Sequence, residues 1–277
     1  LKLIYSPKRE LKRFLDEDMG NGDITSKLLK KRKIVARIIT REETIVAGTR
    51  FAKDIFALKR CRTRICKKDG KIAKANQTIL VINGNAADIL TCERTALNLL
   101  SRMCGIATQT NNLKKQIKLV GSKSKIFATR KTAPGLRFFD KEAVKIGGGE
   151  KHRMTLNDMI MIKDNHLAVE KSIENILIKA KKTRSKIEIE VESQKDAILC
   201  ARFGADIIML DNFSPDKIKK TIKKLTELKL RKTVVLEASG RINLKNISKY
   251  AKTNVDMISV GNITDSVSGV DLSLEIS

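Results

Sequence analysis

Beyond Ser122 the sequence alternates between short apolar runs and amphipathic stretches. The apolar runs lie at 125–129, 157–162, 186–191, 206–210, 232–237 and 256–260, and helical patterns fall at 170–182, 194–203, 214–228 and 243–251. Strands that alternate with helices are joined by right-handed parallel crossovers, so the expected fold class is α/β, with a parallel layer or barrel. Six runs are fewer than a complete eight-stranded barrel needs, so the barrel is expected to be incomplete. Each run leads into polar or glycine residues: Arg130-Lys131, Lys163-Asp-Asn-His166, Glu190 and Glu192, Asp211-Asn212, Glu237-Ala-Ser-Gly240, and Gly261-Asn262. Any one of these is an ordinary turn signal. Six together, at the strand ends where α/β barrels carry their active sites, mark a candidate site.

The first hundred residues follow another rhythm. Leu11, Phe14 and Leu15 share one face of a helix over 8–18. Glu17–Ser26 breaks that helix with Gly20, Asn21 and Gly22. The G-x-G inside it has no strand before it and no third glycine, which excludes a dinucleotide loop. Apolar stretches at Ile34–Ile39, Thr44–Ala47 and Ile79–Ile82, with turn signals at Asp69-Gly70 and Asn83-Gly84, predict a small antiparallel β unit with one or two helices. Residues 86–119 carry the longest helical pattern, and Val270–Ile276 alternates with period two like an edge strand returning to the N-terminal unit.

Composition removes several function classes. No apolar run reaches the roughly 18 residues of a membrane span, and no signal-peptide pattern opens the sequence, although a start at Leu1 leads us to expect a short missing N-terminal piece. Five cysteines at 61, 66, 92, 104 and 200 lack metal-ligand spacing and read as reduced thiols of a cytoplasmic protein. The net charge of +26 is spread through every segment, and aromatic residues are only 4% of the chain. This favours solvated lysine-rich faces, such as Lys217–Lys224, and attraction of an anionic small substrate over a nucleic-acid platform.

The strand ends sort by charge. Arg130, Lys131, Arg153 and Lys163, with His152, are suited to hold a dianionic small molecule, because clustered cations repel one another without a ligand. Glu190 and Asp211 suit hydroxyl recognition, or a Mg²⁺ ion that keeps its waters and takes phosphate oxygens. Ala238-Ser-Gly-Arg241 and Val260-Gly-Asn262 are each expected to precede a helix and to offer backbone N–H groups to phosphate. Gly147-Gly-Gly149 reads equally as a linker or as a point of close ligand approach. His152 reads either as an anion ligand or as a satisfied core histidine. Asp158 and Asp164 read as turn residues, and Asn165-His166 as stabilising the loop after the second strand.

These residues resemble the decarboxylating quinolinate phosphoribosyltransferase family over nearly the whole chain. The likeness is carried by Glu17-Asp-Met-Gly-Asn-Gly-Asp-Ile-Thr-Ser26, Glu93-Arg-Thr-Ala-Leu-Asn98, Gly105-Ile-Ala-Thr108, Thr129-Arg-Lys-Thr-Ala-Pro-Gly-Leu-Arg137, Gly147-Gly-Gly-Glu-Lys-His-Arg153, Ile162-Lys-Asp-Asn-His166, Ile189-Glu-Val-Glu192, Leu210-Asp-Asn212, Glu237-Ala-Ser-Gly240 and Ile258-Ser-Val-Gly261. The resemblance implies an N-terminal α+β domain of open β-sandwich form over 1–105, completed by a C-terminal strand at 268–277. It implies an incomplete α/β barrel over 106–267.

The implied activity is conversion of quinolinate and phosphoribosyl pyrophosphate to nicotinate mononucleotide, pyrophosphate and CO₂ in NAD biosynthesis, with Mg²⁺. By the same resemblance Arg130, Lys131, His152, Arg153 and Lys163 line the quinolinate side, and Thr129 is a further substrate contact. Glu190 and Asp211 contact ribose and metal, Ser239, Gly240 and Gly261 contact phosphate, and Lys131, Lys163, Glu190 and Asp211 carry the catalysis. Arg94 is implied to enter the neighbour's site in a homodimer or an assembly of dimers. Cys104, where the family has Ser, is expected in a packed turn, and Asp265 stands where a His is usual. The alternatives are a sister family tied to molybdenum transport, from which Lys163-Asp-Asn-His166 separates this chain, a nicotinate-type transferase, and a basic nucleic-acid-binding protein.

Overall fold

The computed structural model describes residues 6–277. They form two compact units: one comprises residues up to Asn111 with Thr132–Gly148 and Ser266–Ser277, the other Asn112–Lys131 with Gly149–Asp265.

In the first unit, helix α1 (Pro7–Met19) starts on a proline at its first turn and buries Leu11 and Leu15. Strands β1 (Lys33–Thr40) and β2 (Thr44–Ile45) lead to α2 (Thr49–Leu58), then β3 (Arg62–Ile65), β4 (Ile72–Ala73) and β5 (Thr78–Asn85). Asp69 organises the start of α2: its carboxylate accepts the Gly48 and Thr49 backbone N–H groups and the Thr49 hydroxyl. The long helix α3 (Ala86–Leu119) follows, so the 105/106 boundary expected between domains falls inside one helix.

The C-terminal strand Leu272–Ile276 pairs antiparallel with β1, from Ala36↔Ile276 to Thr40↔Leu272, in a sheet ordered C-terminal strand–β1–β5–β3. Its alternation does signal an edge strand. Helix α4 (Arg137–Gly147) brings Phe138 and Phe139 against Phe51, with Phe14 on Phe139. Cys104 is not in a turn; it is buried inside α3, where its Sγ meets the Ala47 backbone.

One contact fixes the chain ahead of the C-terminal strand. A Cβ at Gly105 would lie 2.0 Å from the Ser268 carbonyl oxygen, which only a backbone shift relieves. Gly105→Ala is therefore expected to destabilise the fold by about 2–3 kcal/mol, read as a lower urea midpoint at unchanged m.

The second unit is a parallel sheet. It contains β6 (Lys125–Ala128), β7 (Ile160–Ile162), α5 (Asp164–Glu170), α6 (Ile173–Lys181), β8 (Ile187–Val191), α7 (Gln194–Arg202), β9 (Ile207–Asp211), α8 (Pro215–Glu227), β10 (Val235–Ser239), α9 (Ile247–Ala251), β11 (Met257–Val260) and α10 (Asn262–Asp265). Strand order is β6-β11-β10-β9-β8-β7, so the sheet does not close and β6 and β7 are its edges. Ser172, Ser193 and Ser214 cap α6, α7 and α8, each hydroxyl accepting the backbone N–H three residues on. The Ser193 and Ser214 caps hold the starts of α7 and α8 just beyond the ends of β8 and β9.

Two strand limits differ from expectation. The run at 157–162 begins as strand only at Ile160, because the Asp158 carboxylate accepts the Met154 and Thr155 N–H groups and holds a turn. The run at 232–237 begins at Val235 and continues to Ser239, so Glu237 lies mid-strand.

Candidate active site

Strand side chains alternate faces, so residues two apart share one. That periodicity assembles the cavity: Met161 and Lys163, Met209 and Asp211, Glu237 and Ser239, and Ser259 and Gly261 line a space of about 760 Å³ within the second unit. Thr129, Arg130, Lys131, His152, Arg153, Glu190 and Gly240 complete the expected wall. Every site residue that the resemblance implies lines it except Arg94, which is exposed on α3 in the first unit.

The cavity holds a charge contrast. On the cationic side Arg153 is buried, and burial first, then the nearby Arg130 charge, push its pKa down. Lys163 Nζ lies 2.5 Å from Glu190 Oε2, so it bridges the cationic and acidic sides. His166 fixes the Lys163 backbone, its Nδ1 accepting the Lys163 N–H at 2.9 Å. Asp211 accepts the Asn212 side-chain amide at 2.6 Å.

Gly240 has φ +98°, and a Cβ there would stand 2.2 Å from Asn212 Oδ1, so only glycine allows this turn to close on Asn212. The loop after Gly240 does not enter a helix at once, since α9 begins at Ile247; Gly261 does immediately precede α10. Gly147 and Gly148 serve the end of α4. Gly147 ends α4 and packs on α3, where a Cβ would meet the Ala107 carbonyl at 2.4 Å, and Gly148 is the left-handed C-cap.

At the cavity floor lies a group that sequence reasoning missed. His152 Nε2 is 3.1 Å from Glu188 Oε2 and 3.4 Å from Glu237 Oε2, and both glutamates have no exposed side-chain surface. His152 Nδ1 accepts the Arg153 backbone N–H at 2.8 Å, which fits the Nε2–H tautomer. Burial alone would lower the imidazole pKa, but hydrogen bonds and charge from Glu188 and Glu237 reverse this and push it up to about 9. Burial also pushes the Glu188 carboxyl up. The Nδ1 contact keeps the ring proton on Nε2, where it faces the two carboxylates.

Two donor sets suit a cation. Glu190 and Asp211 offer hard oxygens on adjacent strands at the cavity, the arrangement Mg²⁺ takes together with phosphate oxygens. His152, Glu188 and Glu237 have ligand atoms within 4.8 Å of one another. Arg153, whose charge acts on Glu188, makes that second set the poorer cation site.

A family model for the quinolinate phosphoribosyl transferase C-terminal domain matches residues 106–275, and one for the N-terminal domain matches 23–104. The chain belongs to the quinolinate phosphoribosyltransferase family. It is 44% identical over 274 residues to the probable nicotinate-nucleotide pyrophosphorylase (carboxylating) of Methanothermobacter thermautotrophicus, covering 96% of this chain and 97% of that one. It is 35% identical to the nicotinate-nucleotide pyrophosphorylase (carboxylating) of Dictyostelium discoideum, covering 98% and 96%. The solved nicotinate-nucleotide pyrophosphorylase of Francisella tularensis superposes with a TM-score of 0.91 at 38% identity, covering 98% and 96%.

Within this quinolinate phosphoribosyltransferase fold, Glu188 had a signal in the sequence. The run Glu188-Ile-Glu190 puts both carboxylates on one strand face, so a charge lies one step below a site residue in an otherwise apolar strand.

Proposed function

We propose that this chain transfers the phosphoribosyl group of phosphoribosyl pyrophosphate to quinolinate, with loss of CO₂, giving nicotinate mononucleotide and pyrophosphate for NAD biosynthesis. The observation that carries this reading is the division of one cavity into a cationic side of Arg130, Arg153 and Lys163 and an acidic side of Glu190 and Asp211. The cationic side takes the two carboxylates of the pyridine acid. Its ring nitrogen is the nucleophile, so no general base is needed, and the pocket works by orientation. Glu190 and Asp211 stabilise the positive charge that builds on the ribose carbon as pyrophosphate leaves. The N–H groups around Ser239, Gly240 and Gly261 suit the phosphates, and Lys131 lies beside Gly261, its Cδ 3.3 Å from the position of a Cβ there.

Glu190 and Asp211 are the residues that would hold Mg²⁺, which when bound neutralises the leaving pyrophosphate. Arg94 is proposed to serve the cavity of a second copy in a homodimer. The five free cysteines support a cytoplasmic location. No helix among the described residues is long and apolar enough to cross a membrane.

The test is turnover of phosphoribosyl pyrophosphate with quinolinate, with nicotinate as the control. Quinolinate-dependent CO₂ and pyrophosphate release that stops when EDTA removes Mg²⁺ is expected. Equal turnover of nicotinate would overturn the substrate assignment, and full activity in EDTA would overturn the metal.

A further inference from the structure

We propose that Glu188 and Glu237 are positioning residues of the acid-binding side, acting through His152, which is a buttress for Arg153 and not itself a hydrogen-bond donor to the acid. This deepens the quinolinate reading and rests on it. Both ring nitrogens of His152 are already engaged within the protein. Nε2 faces two carboxylates at 3.1 and 3.4 Å, and Nδ1 accepts the backbone N–H of Arg153 at 2.8 Å. The His152 side chain is only 6% exposed, and its ring packs edge-on against Phe127, with centroids 5.9 Å apart. A ring so fixed can reach a substrate carboxylate only by giving up one of these contacts.

The backbone supports the same reading. His152 has φ +50°, a left-handed conformation that an L side chain adopts at a cost, so the surroundings must hold it there. The paired carboxylates are the anchor available: His152 Nε2 and the buried oxygens of Glu188 and Glu237 face one another at 3.1 and 3.4 Å as a charge contact rather than an aligned hydrogen bond, and none of these atoms has another hydrogen-bond partner. Such groups are costly to bury unless compensated, and the compensation is reciprocal. The glutamates hold the imidazole, its Nε2–H points its positive end at their charge, and the Glu188 charge offsets the Arg130–Arg153 repulsion.

Simple electrostatics and positioning predict opposite signs, which makes the idea testable. If the glutamates served only as charges, neutralising one would make the pocket more positive and tighten anion binding. If they position Arg153 through His152, neutralising one loosens the acid-binding side. Glu237→Gln and Glu188→Gln are each expected to raise KM for quinolinate roughly tenfold to a hundredfold, with KM for phosphoribosyl pyrophosphate and kcat changed far less. In a His152→Asn background Glu237→Gln is expected to add no further loss, because the carboxylate then has nothing to act through.

Two histidines in the chain make an independent readout clean. Nitrogen NMR of ¹⁵N-histidine-labelled, unliganded protein is expected to show His152 protonated at Nε2 and shifted in both Gln variants, with His166 unmoved. A quinolinate KM that falls or stays level, additive losses in the double variant, or an unshifted His152 resonance would each overturn the proposal. So would a stoichiometric metal ion lost on His152→Asn. Wild-type protein that does not turn over quinolinate would refute the substrate reading, and with it the acid-binding role; the NMR arm would then still decide the His152–glutamate coupling.

Discussion

Lys163→Ala is expected to lower kcat/KM by about a thousandfold or more while leaving the fold intact. Lys163 leaves β7 directly into the cavity, and its Nζ sits 2.5 Å from Glu190 Oε2. Removing it has two effects on function. The acid-binding side loses a cation at a place where a charge-assisted hydrogen bond is strong, because the cavity is partly shielded from water. Glu190 also loses the partner that holds it in place, so the carboxylate needed near the ribose is no longer oriented. The effect on stability is small, since the Lys163 side chain is 42% exposed and ion pairs of that kind contribute little. Arg130→Ala is expected to behave in the same way. The checks are steady-state kinetics and a thermal melt for each variant. Near-normal activity in both would remove these residues from the site, and loss of folding would show that the effect is structural.

A subunit-complementation experiment bears on Arg94. Arg94→Ala and Lys163→Ala are each expected to be inactive alone. When the two are unfolded together and refolded, a hybrid of the proposed homodimer would have one cavity with its own Lys163 and the partner's Arg94. A random mixture should then recover about a quarter of wild-type activity, since half the dimers are hybrids and half of their sites are whole. Arg94 is exposed on α3 in the first unit, and all residues around the cavity belong to the second. Arg94 stands on the outer face of α3, with Cys92 and Thr95 to Leu97 buried around it. Absence of recovery in a mixture shown to contain hybrids would mean that Arg94 does not act across subunits.

The fold was legible wherever a short period met a punctuation signal. Strand β8 could be read because Ile187, Ile189 and Val191 face one way and the next polar residue ends the run; α3 could be read because 34 residues keep a helical pattern with Gly105 as the one glycine and no proline. Limits were harder where side chains act on backbone locally. Asp158 takes up two N–H groups and turns what reads as strand into a turn, and no pattern of apolar residues records that. Gly147 and Gly148 could not be assigned for a related reason: Gly148 caps α4 and Gly147 packs on α3, and neither role is visible without the tertiary partner. Most of the site was legible because barrels put chemistry at strand ends. Its floor was not, because His152, Glu188 and Glu237 are 36 and 49 residues apart in sequence and only strand pairing brings them within hydrogen-bond reach.

The pairing of the C-terminal strand with β1 has a consequence for how the chain is made. Ala36 meets Ile276 across some 240 residues of sequence. A ribosome moving at about 5–20 residues per second therefore leaves the outer edge of β1 without its neighbour for ten seconds or longer. For that interval β1 presents open backbone N–H and C=O groups, the template on which foreign strands assemble. The parallel sheet, whose strands lie within 125–260, can pair while synthesis continues. The first unit is begun early and finished last, which makes it the part of the nascent protein with most need of a chaperone.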